Sequence, residues 1–139
     1  AIHVAGSYSD PSFQVGSVHH LPFSDNAFDF VFNEGVPQHW GFNPHDWRRQ
    51  HSINEMVRVT RSGGHVCVIA NNALCPYIIE MASRVDHTYK GMPIREKPFT
   101  PAELAMRLEL AGVKNPTVVS VDTPKFEESR LIAGWGVKS

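Results

Sequence analysis

The sequence predicts an α/β fold with a mostly parallel sheet that ends in an antiparallel pair of strands. Predicted strands alternate with predicted helices along the chain, an order typical of parallel sheets. Two strands, over residues 28–32 and 65–70, are nearly continuous apolar runs, as expected where a parallel sheet is covered on both faces. The linker over residues 122–130 is too short for a parallel crossover, so we expect the last two strands to be antiparallel neighbours.

Five segments of the chain are predicted as strands. The first is short, and a turn cluster at residues 24–27 separates it from the second, because Ser, Asp and Asn side chains hydrogen-bond to the local backbone. The third is the strongest apolar run, and two glycines interrupt the last. In chain order the five predicted strands cover residues 13–18, 28–32, 65–70, 117–121 and 131–137.

The first predicted helix runs over residues 44–59. Asn43 is expected to cap it, and Pro44 suits the first helical position because no amide hydrogen is needed there. Gly63 and Gly64 follow the helix, and glycine readily takes the left-handed conformation that ends helices. The sequence therefore predicts a helix that leads through a glycine turn into the strand over 65–70.

Two further helices are predicted in the second half of the chain. The second, over residues 76–89, carries an apolar stripe at helical spacing that consists of Ile78, Met81, Ala82, Val85 and Tyr89. The third begins at a capping box formed by Thr100 and Glu103 and is expected to stop at Gly112. The proline-containing loop over residues 91–99 between them is expected to cover a functional site.

Composition excludes several classes of function. The 139 residues suggest about one domain, over residues 1–139. Thirteen basic and 14 acidic residues give a charge of −1, which argues against binding to nucleic acid or to a membrane surface. Two cysteines, Cys67 and Cys75, cannot build a disulfide framework, and together with the lack of a signal segment they indicate a cytoplasmic protein. Metal-ligand spacings are absent, so no metal site is expected.

Four stretches of the sequence resemble one known family. Residues 15–31, VGSVHHLPFSDNAFDFV, are similar to the "LPF.D..FD.V" stretch of class I S-adenosylmethionine-dependent methyltransferases of the methyltransferase-11 type, and the likeness continues through residues 33–36 and 39–40. Residues 54–64 resemble the family's "E..RV...GG" element, and residues 99–113 resemble its "FTP.EL...AG" element. The resemblance implies a Rossmann-like sheet and S-adenosylmethionine as the cofactor. It spans about residues 15–121.

The resemblance also implies where the site lies, since ligands of open parallel sheets bind beyond the carboxyl ends of the strands. The residues expected to face the adenine are Gly16, Ser17 and Val18, and those expected near the sulfonium are Asn33, Glu34 and Gly35. The alternative is that Asn33 and Gly35 are simply turn residues. His39 is the candidate general base. The alternative is that His39 only forms a structural hydrogen bond within its loop. Trp40 and Asn71 are predicted to line the acceptor pocket, although Trp40 as a packing residue also fits.

The sequence departs from the family at its beginning. It contains no glycine-rich loop between a strand and a helix, and Asp10 stands too close to the next strand to be the acid that holds the ribose. The chain thus resembles the C-terminal two-thirds of the family, truncated at the N-terminus. The strand over 28–32 would then present an unpaired apolar edge. Three arrangements would cover this unpaired edge. Residues that precede Ala1 could supply the missing strands, the strand over 13–18 could insert beside the strand over 28–32, or two copies could form a homodimer through the edge.

The function predicted on this basis is S-adenosylmethionine-dependent methyl transfer to a small-molecule acceptor that the sequence does not identify. The alternative is a non-catalytic remnant of the family that acts as an assembly or binding module. A nicotinamide-dependent dehydrogenase is disfavoured, because the dinucleotide-binding fingerprint is absent as well.

Overall fold

A computed structural model describes residues 13–84, 88–89, 91–93 and 95–139. Four strands form one sheet in the order β1-β2-β6-β5, and two short strands, β3 and β4, pair with each other. The strands are β1 (Phe28–Glu34), β2 (Thr60–Asn71), β3 (Thr88–Tyr89), β4 (Met92–Pro93), β5 (Val113–Ser120) and β6 (Leu131–Lys138). The helices are α1 (Arg48–Val59), α2 (Pro76–Ser83) and α3 (Pro101–Ala111), preceded by a 3₁₀ helix at Pro37–His39.

The sheet confirms the predicted fold class. Strand β1 pairs with β2 in parallel, whereas β6 is antiparallel to both of its neighbours, β2 and β5. Three of the four strands therefore run in the same direction, and only the last is reversed. As predicted, β5 and β6 are antiparallel neighbours.

Helices α1 and α3 cover one face of the sheet. The core between them and the sheet consists of side chains that recur at helical spacing on the helices and at alternate positions on β2 and β6, among them Ile53, Met56, Val66, Val68, Leu104, Leu108 and Ile132. Gly134 of β6 lies directly under α3, where a Cβ atom would come within 2.8 Å of both Leu104 and Leu108. Helix α3 thus packs closely on β6 because that strand lacks a side chain at this point.

The opposite face of the sheet is exposed in the described part of the chain. Phe30 and Phe32 on β1 are 57% and 62% accessible, and Trp135 on β6 is 46% accessible. The expectation that the strand over 28–32 is covered on both faces is therefore wrong. Among the described residues, β1 lies at an edge of the sheet, as the missing family elements predicted.

Three predictions about local structure need correction. Residues 13–18 form no strand and are mostly exposed, with only an isolated bridge between Ser17 and His20. Helix α1 begins at Arg48, and the Asn43 side chain accepts from the backbone N–H of His45 in a turn instead of capping the helix. The strand over 13–18 therefore does not fill the position beside β1.

The glycine pair and the second helix also differ from expectation. The chain passes directly from α1 into β2 at Thr60, and Gly64 lies against the backbone of Asp29 where the pairing of β1 and β2 shifts register. Helix α2 ends at Ser83, and Tyr89 belongs to β3. Val85 and Asp10 lie outside the described residues.

The third helix matches its prediction at both ends. Thr100 accepts from the backbone N–H of Glu103 at 3.1 Å, and Gly112 takes a left-handed conformation with φ +107°. The Glu103 carboxylate, however, bonds to Arg49 and Arg107 rather than returning to Thr100. No helix in the described ranges combines the length and hydropathy that a membrane span requires.

Candidate functional site

The carboxyl ends of β1 and β2 meet at one edge of the sheet. Glu34 pairs with Ile69, and the backbone N–H of Gly35 donates to the carbonyl of Ile69 at 2.8 Å. At Gly35 the chain turns away from the sheet with φ +74°, a conformation that favours glycine. The parallel pairing thereby delivers the residues after β1 and the last residue of β2, Asn71, to the same place.

A cavity of about 620 Å³, here called the strand-end cavity, opens at this edge. Its walls come from the ends of β1 and β2, the 3₁₀ helix, one side of α2, the segment around Glu96 and the connection between β5 and β6. Four residues singled out from the sequence line it, namely Glu34, Gly35, His39 and Asn71. Tyr77, Ile78, Met81, Asp122, Arg130 and Leu131 complete the lining with Gln38 and Glu96.

Gln38 connects three walls of the strand-end cavity, although no local pattern in the sequence singles it out. Gln38 is only 4% accessible. Its side-chain Oε1 accepts a hydrogen bond from the backbone N–H of Asn71 at 2.8 Å, and its backbone carbonyl accepts one from the backbone N–H of Lys97. Its Nε2 donates to Glu96 Oε1 at 3.3 Å, and Asn71 Nδ2 donates to Glu96 Oε2 at 3.0 Å. The Glu96 carboxylate is thus held by two amide side chains.

His39 is anchored by one of its two ring nitrogens. Its Nδ1 lies 3.1 Å from the carbonyl oxygen of Arg95. Because a carbonyl oxygen only accepts, Nδ1 must carry the proton of this bond, which leaves the lone pair of Nε2 free in the neutral ring. The geometry therefore suits a proton acceptor at the strand-end cavity, and it also satisfies the alternative of a histidine bonded in its loop.

A second cavity of about 550 Å³, here called the β1 groove, runs along the free edge of β1. It is mainly apolar and includes Val18, Val36, Met56 and the phenylalanines of β1, with Asn33 as a polar group. Asn33 Nδ2 lies 2.7 Å from the sulfur of Met56, and its buried Oδ1 has no hydrogen-bond partner among the described residues. Asn33 therefore places an unpartnered oxygen below the surface of the groove, in an apolar surrounding.

The remaining sequence-predicted residues are distributed differently. Gly16 and Ser17 are exposed, and the Ser17 hydroxyl accepts from the backbone N–H of His19 at 3.2 Å. Trp40 does not line the strand-end cavity. Its ring packs edge-on against His19 with centroids 4.4 Å apart.

A buried arginine ties the walls of the strand-end cavity to the helices. Arg49 of α1 is fully buried and donates to the carbonyl oxygens of Trp40 and Lys97. It also pairs with Glu103 of α3 at 3.0 Å and lies 3.9 Å over the ring of Phe99. Burial lowers the pKa of the Arg49 guanidinium, and the Glu103 carboxylate opposes this shift.

The segment that carries Glu96 is also fixed to the end of β2. The backbone N–H of Phe99 donates to the carbonyl of Asn71 at 2.9 Å, and that of Ala73 donates to the carbonyl of Phe99 at 2.8 Å. Lys97 Nζ donates to the carbonyl of Gly41 at 2.8 Å. Among the described residues, no group of three or more His, Cys, Asp or Glu side chains is arranged to hold a metal ion.

Comparison with known proteins identifies relatives of this fold. A methyltransferase domain family matches residues 2–68, whereas a search of curated protein sequences found no match. A SAM-dependent methyltransferase from Thermotoga maritima has a TM-score of 0.68 and 19% identity over 89% of this chain and 62% of that chain. A SAM-dependent methyltransferase from Methanosarcina mazei has a TM-score of 0.60 and 19% identity over 91% of this chain and 66% of that chain.

A third solved structure, PigF with SAH, has a TM-score of 0.60 and 16% identity over 89% of this chain and 34% of that chain. The chain spans less than two-thirds of the length of each of these three proteins. The matched domain and the shared fold support the resemblance of this chain to class I S-adenosylmethionine-dependent methyltransferases.

Proposed function

We propose that the chain is part of an S-adenosylmethionine-dependent methyltransferase that acts on a small-molecule acceptor. The observation that carries this proposal is that two cavities are lined by consecutive residues at the carboxyl end of β1. The apolar β1 groove reaches Asn33, and the strand-end cavity, which holds charged side chains, begins at the next residue, Glu34. In a Rossmann-like sheet this edge is where ligands bind.

The residues of the β1 groove fit the cofactor. When bound, S-adenosylmethionine supplies a methyl group on a cationic sulfur. The unpartnered Oδ1 of Asn33 is buried, and a rotation of this side chain would present it to a cationic or hydrogen-bond-donating part of that molecule. Val18 and Val36 offer an apolar surface to its adenine. Glu34 and Gly35 would lie near the sulfonium, and Gly16 and Ser17 would flank the adenine together with Val18.

On the acceptor side, His39 and Asn71 would serve the second substrate. The Nε2 of His39 would accept a proton from the acceptor, because Nδ1 is engaged with the carbonyl of Arg95. Asn71 would hold the cavity wall through its bond to Glu96. Methyl transfer requires little more from the protein than correct positioning of donor and acceptor.

Calorimetric titration with S-adenosylhomocysteine tests the cofactor assignment. We would titrate both the 139-residue chain and the complete protein that its gene encodes, and we expect micromolar-range binding by the complete protein. Asn33→Ala should weaken that binding about tenfold, whereas the matched Asn54→Ala on the exposed side of α1 should leave it unchanged. A complete protein that ignores S-adenosylhomocysteine would contradict the proposal.

The exposed edge of β1 favours a second candidate, in which the chain acts as an assembly module. Phe30 and Phe32 of β1 stack with ring centroids 5.7 Å apart and are accessible. Within the described residues, one edge of β1 has no partner strand. Such an edge can pair with the same strand of a second copy. Sedimentation of the 139-residue chain over a hundredfold range of concentration tests this homodimer, and a monomer at every concentration would refute it.

A further inference from the structure

The strand-end cavity contains a carboxylate that its own walls hold in place. The two oxygens of Glu96 each receive one amide hydrogen bond, from Gln38 and from Asn71. Gln38 is itself buried and fixed to the backbone of Asn71, so this support is rigid. Amide donors leave the negative charge of the carboxylate intact, and within residues 13–84 and 95–139 no Lys or Arg forms an ion pair with Glu96.

The other charged groups of the cavity lining make its field predominantly negative. Glu34 and Asp122 add two further carboxylates, and Arg130 is the cation among the described lining residues. The Arg130 guanidinium lies over the ring of Tyr77 at 4.1 Å, which directs part of its charge onto that aromatic face. A cationic molecule would therefore find a favourable potential in this cavity, and an anion would be repelled.

We propose that the strand-end cavity takes a small-molecule amine in its ammonium form, with the Glu96 carboxylate as the group that recognises the nitrogen. This inference rests on the proposed function, since it names the acceptor class of the same site. Ile78 and Met81 of α2 provide the apolar wall for the carbon skeleton. An ammonium must lose one proton before its nitrogen can form a new bond. His39 lines the same cavity, and we propose its Nε2 as the atom that takes this proton, because Nδ1 is engaged with the carbonyl of Arg95.

Three probes of similar size test the charge preference of the cavity. Phenethylamine, 2-phenylethanol and 3-phenylpropanoate would each be titrated into the 139-residue chain at pH 7.5 and followed by ligand-observed NMR. We expect phenethylamine to bind at least about tenfold more tightly than the alcohol, and the acid to bind most weakly. Tighter binding of 3-phenylpropanoate would show that Arg130 selects the substrate and would overturn the proposal, as would equal binding of all three probes.

Two variants assign the preference to Glu96. Glu96→Gln keeps the shape and one acceptor oxygen but removes the charge, so we expect it to weaken phenethylamine binding about tenfold and to leave 2-phenylethanol unchanged. Glu109→Gln removes a charge from the exposed face of α3 and should change neither. Equal phenethylamine affinity in the two variants would refute the role of Glu96. Should Glu96→Gln fail to fold, the preference of the unmodified chain among the three probes still decides the proposal.

The outcome is separable from that of the cofactor titration because these probes require no cofactor. Selective binding of phenethylamine without any binding of S-adenosylhomocysteine by the complete protein would refute methyl transfer and leave an amine-binding cavity. Binding of S-adenosylhomocysteine together with indifference to the charge of the probe would support methyl transfer and refute the amine as its acceptor.

Discussion

Replacing Arg49 with methionine should destabilise the protein far more than an ordinary surface substitution. The guanidinium is fully buried and donates to two backbone carbonyls, those of Trp40 and Lys97, besides pairing with Glu103. Methionine would keep the apolar contact with Phe99 but provide no donor. Both carbonyls and one oxygen of the carboxylate would then lose a charged partner in the interior.

The size of the effect follows from what each lost partner contributes. Removing one member of a buried ion pair costs about 3–5 kcal/mol. Glu103 keeps its second bond, to Arg107 at 2.9 Å, so the carboxylate would not be left alone. We therefore expect Arg49→Met to lower the free energy of unfolding by about 3 kcal/mol, near the lower end of that range. Arg107→Met removes a partly exposed guanidinium from the same carboxylate and should cost about 1 kcal/mol or less.

Urea denaturation followed by circular dichroism measures this difference. For a slope of about 1.5 kcal/mol per molar urea, a loss of about 3 kcal/mol lowers the transition midpoint by about 2 M. The slope itself should be the same in Arg49→Met and Arg107→Met, since neither variant changes the surface exposed on unfolding by much. Equal midpoints in the two variants would refute the claim that the buried bonds of Arg49 hold these segments together.

Three further predictions concern single contacts. Gly134→Ala would push a methyl group into two leucines of α3 and should cost about 1–3 kcal/mol by urea denaturation; an unchanged midpoint would show that α3 is free to move away. Two hydrogen bonds from Arg58 lower the pKa of Glu55, although burial of the carboxyl opposes this shift. The ionised carboxyl therefore stabilises the fold fully at pH values above the ordinary glutamate pKa of about 4.3. That contribution is lost as the pH falls through the lowered pKa, and Glu55→Gln should flatten the stability profile of acid titrations below pH 5. Thr100→Ala removes the acceptor for the backbone N–H of Glu103 and should lower the free energy of unfolding by about 1 kcal/mol in the same denaturation assay. A decrease below about 0.3 kcal/mol would contradict the role of Thr100 as a helix cap.

Local sequence signals predicted those parts of the fold that local interactions determine. The third helix begins at Thr100 and ends at Gly112 because a hydroxyl cap and a left-handed glycine act within a few residues. The first helix shows the opposite case. Asn43 and Pro44 are good helix-start residues, but the Asp46 carboxylate bonds both the backbone and the side chain of Arg48 and also receives the backbone N–H of Gly41, which holds this stretch as a turn.

The candidate site was predictable to the extent that strand ends determine it. Glu34 and Asn71 follow apolar runs, and parallel pairing alone brings them to one edge. Gln38 and Glu96 were missed because their roles depend on contacts between residues far apart in the chain, such as the 58-residue separation between these two. No periodicity or local spacing reports that a glutamine will be buried against a carboxylate from another segment.

The buried polar network behind the strand-end cavity is better explained by geometry than by stability. Well-packed apolar residues can stabilise a core as well as a buried ion pair does, so the pairing of Arg49 with Glu103 does not by itself account for a guanidinium at this position. An apolar side chain, however, could not bond the carbonyls of Trp40 and Lys97 simultaneously. Trp40 directly follows the 3₁₀ helix that carries His39, and Lys97 directly follows Glu96. Because one rigid guanidinium joins these two segments, the distance between the candidate proton acceptor and the candidate recognition carboxylate is set from inside the protein core.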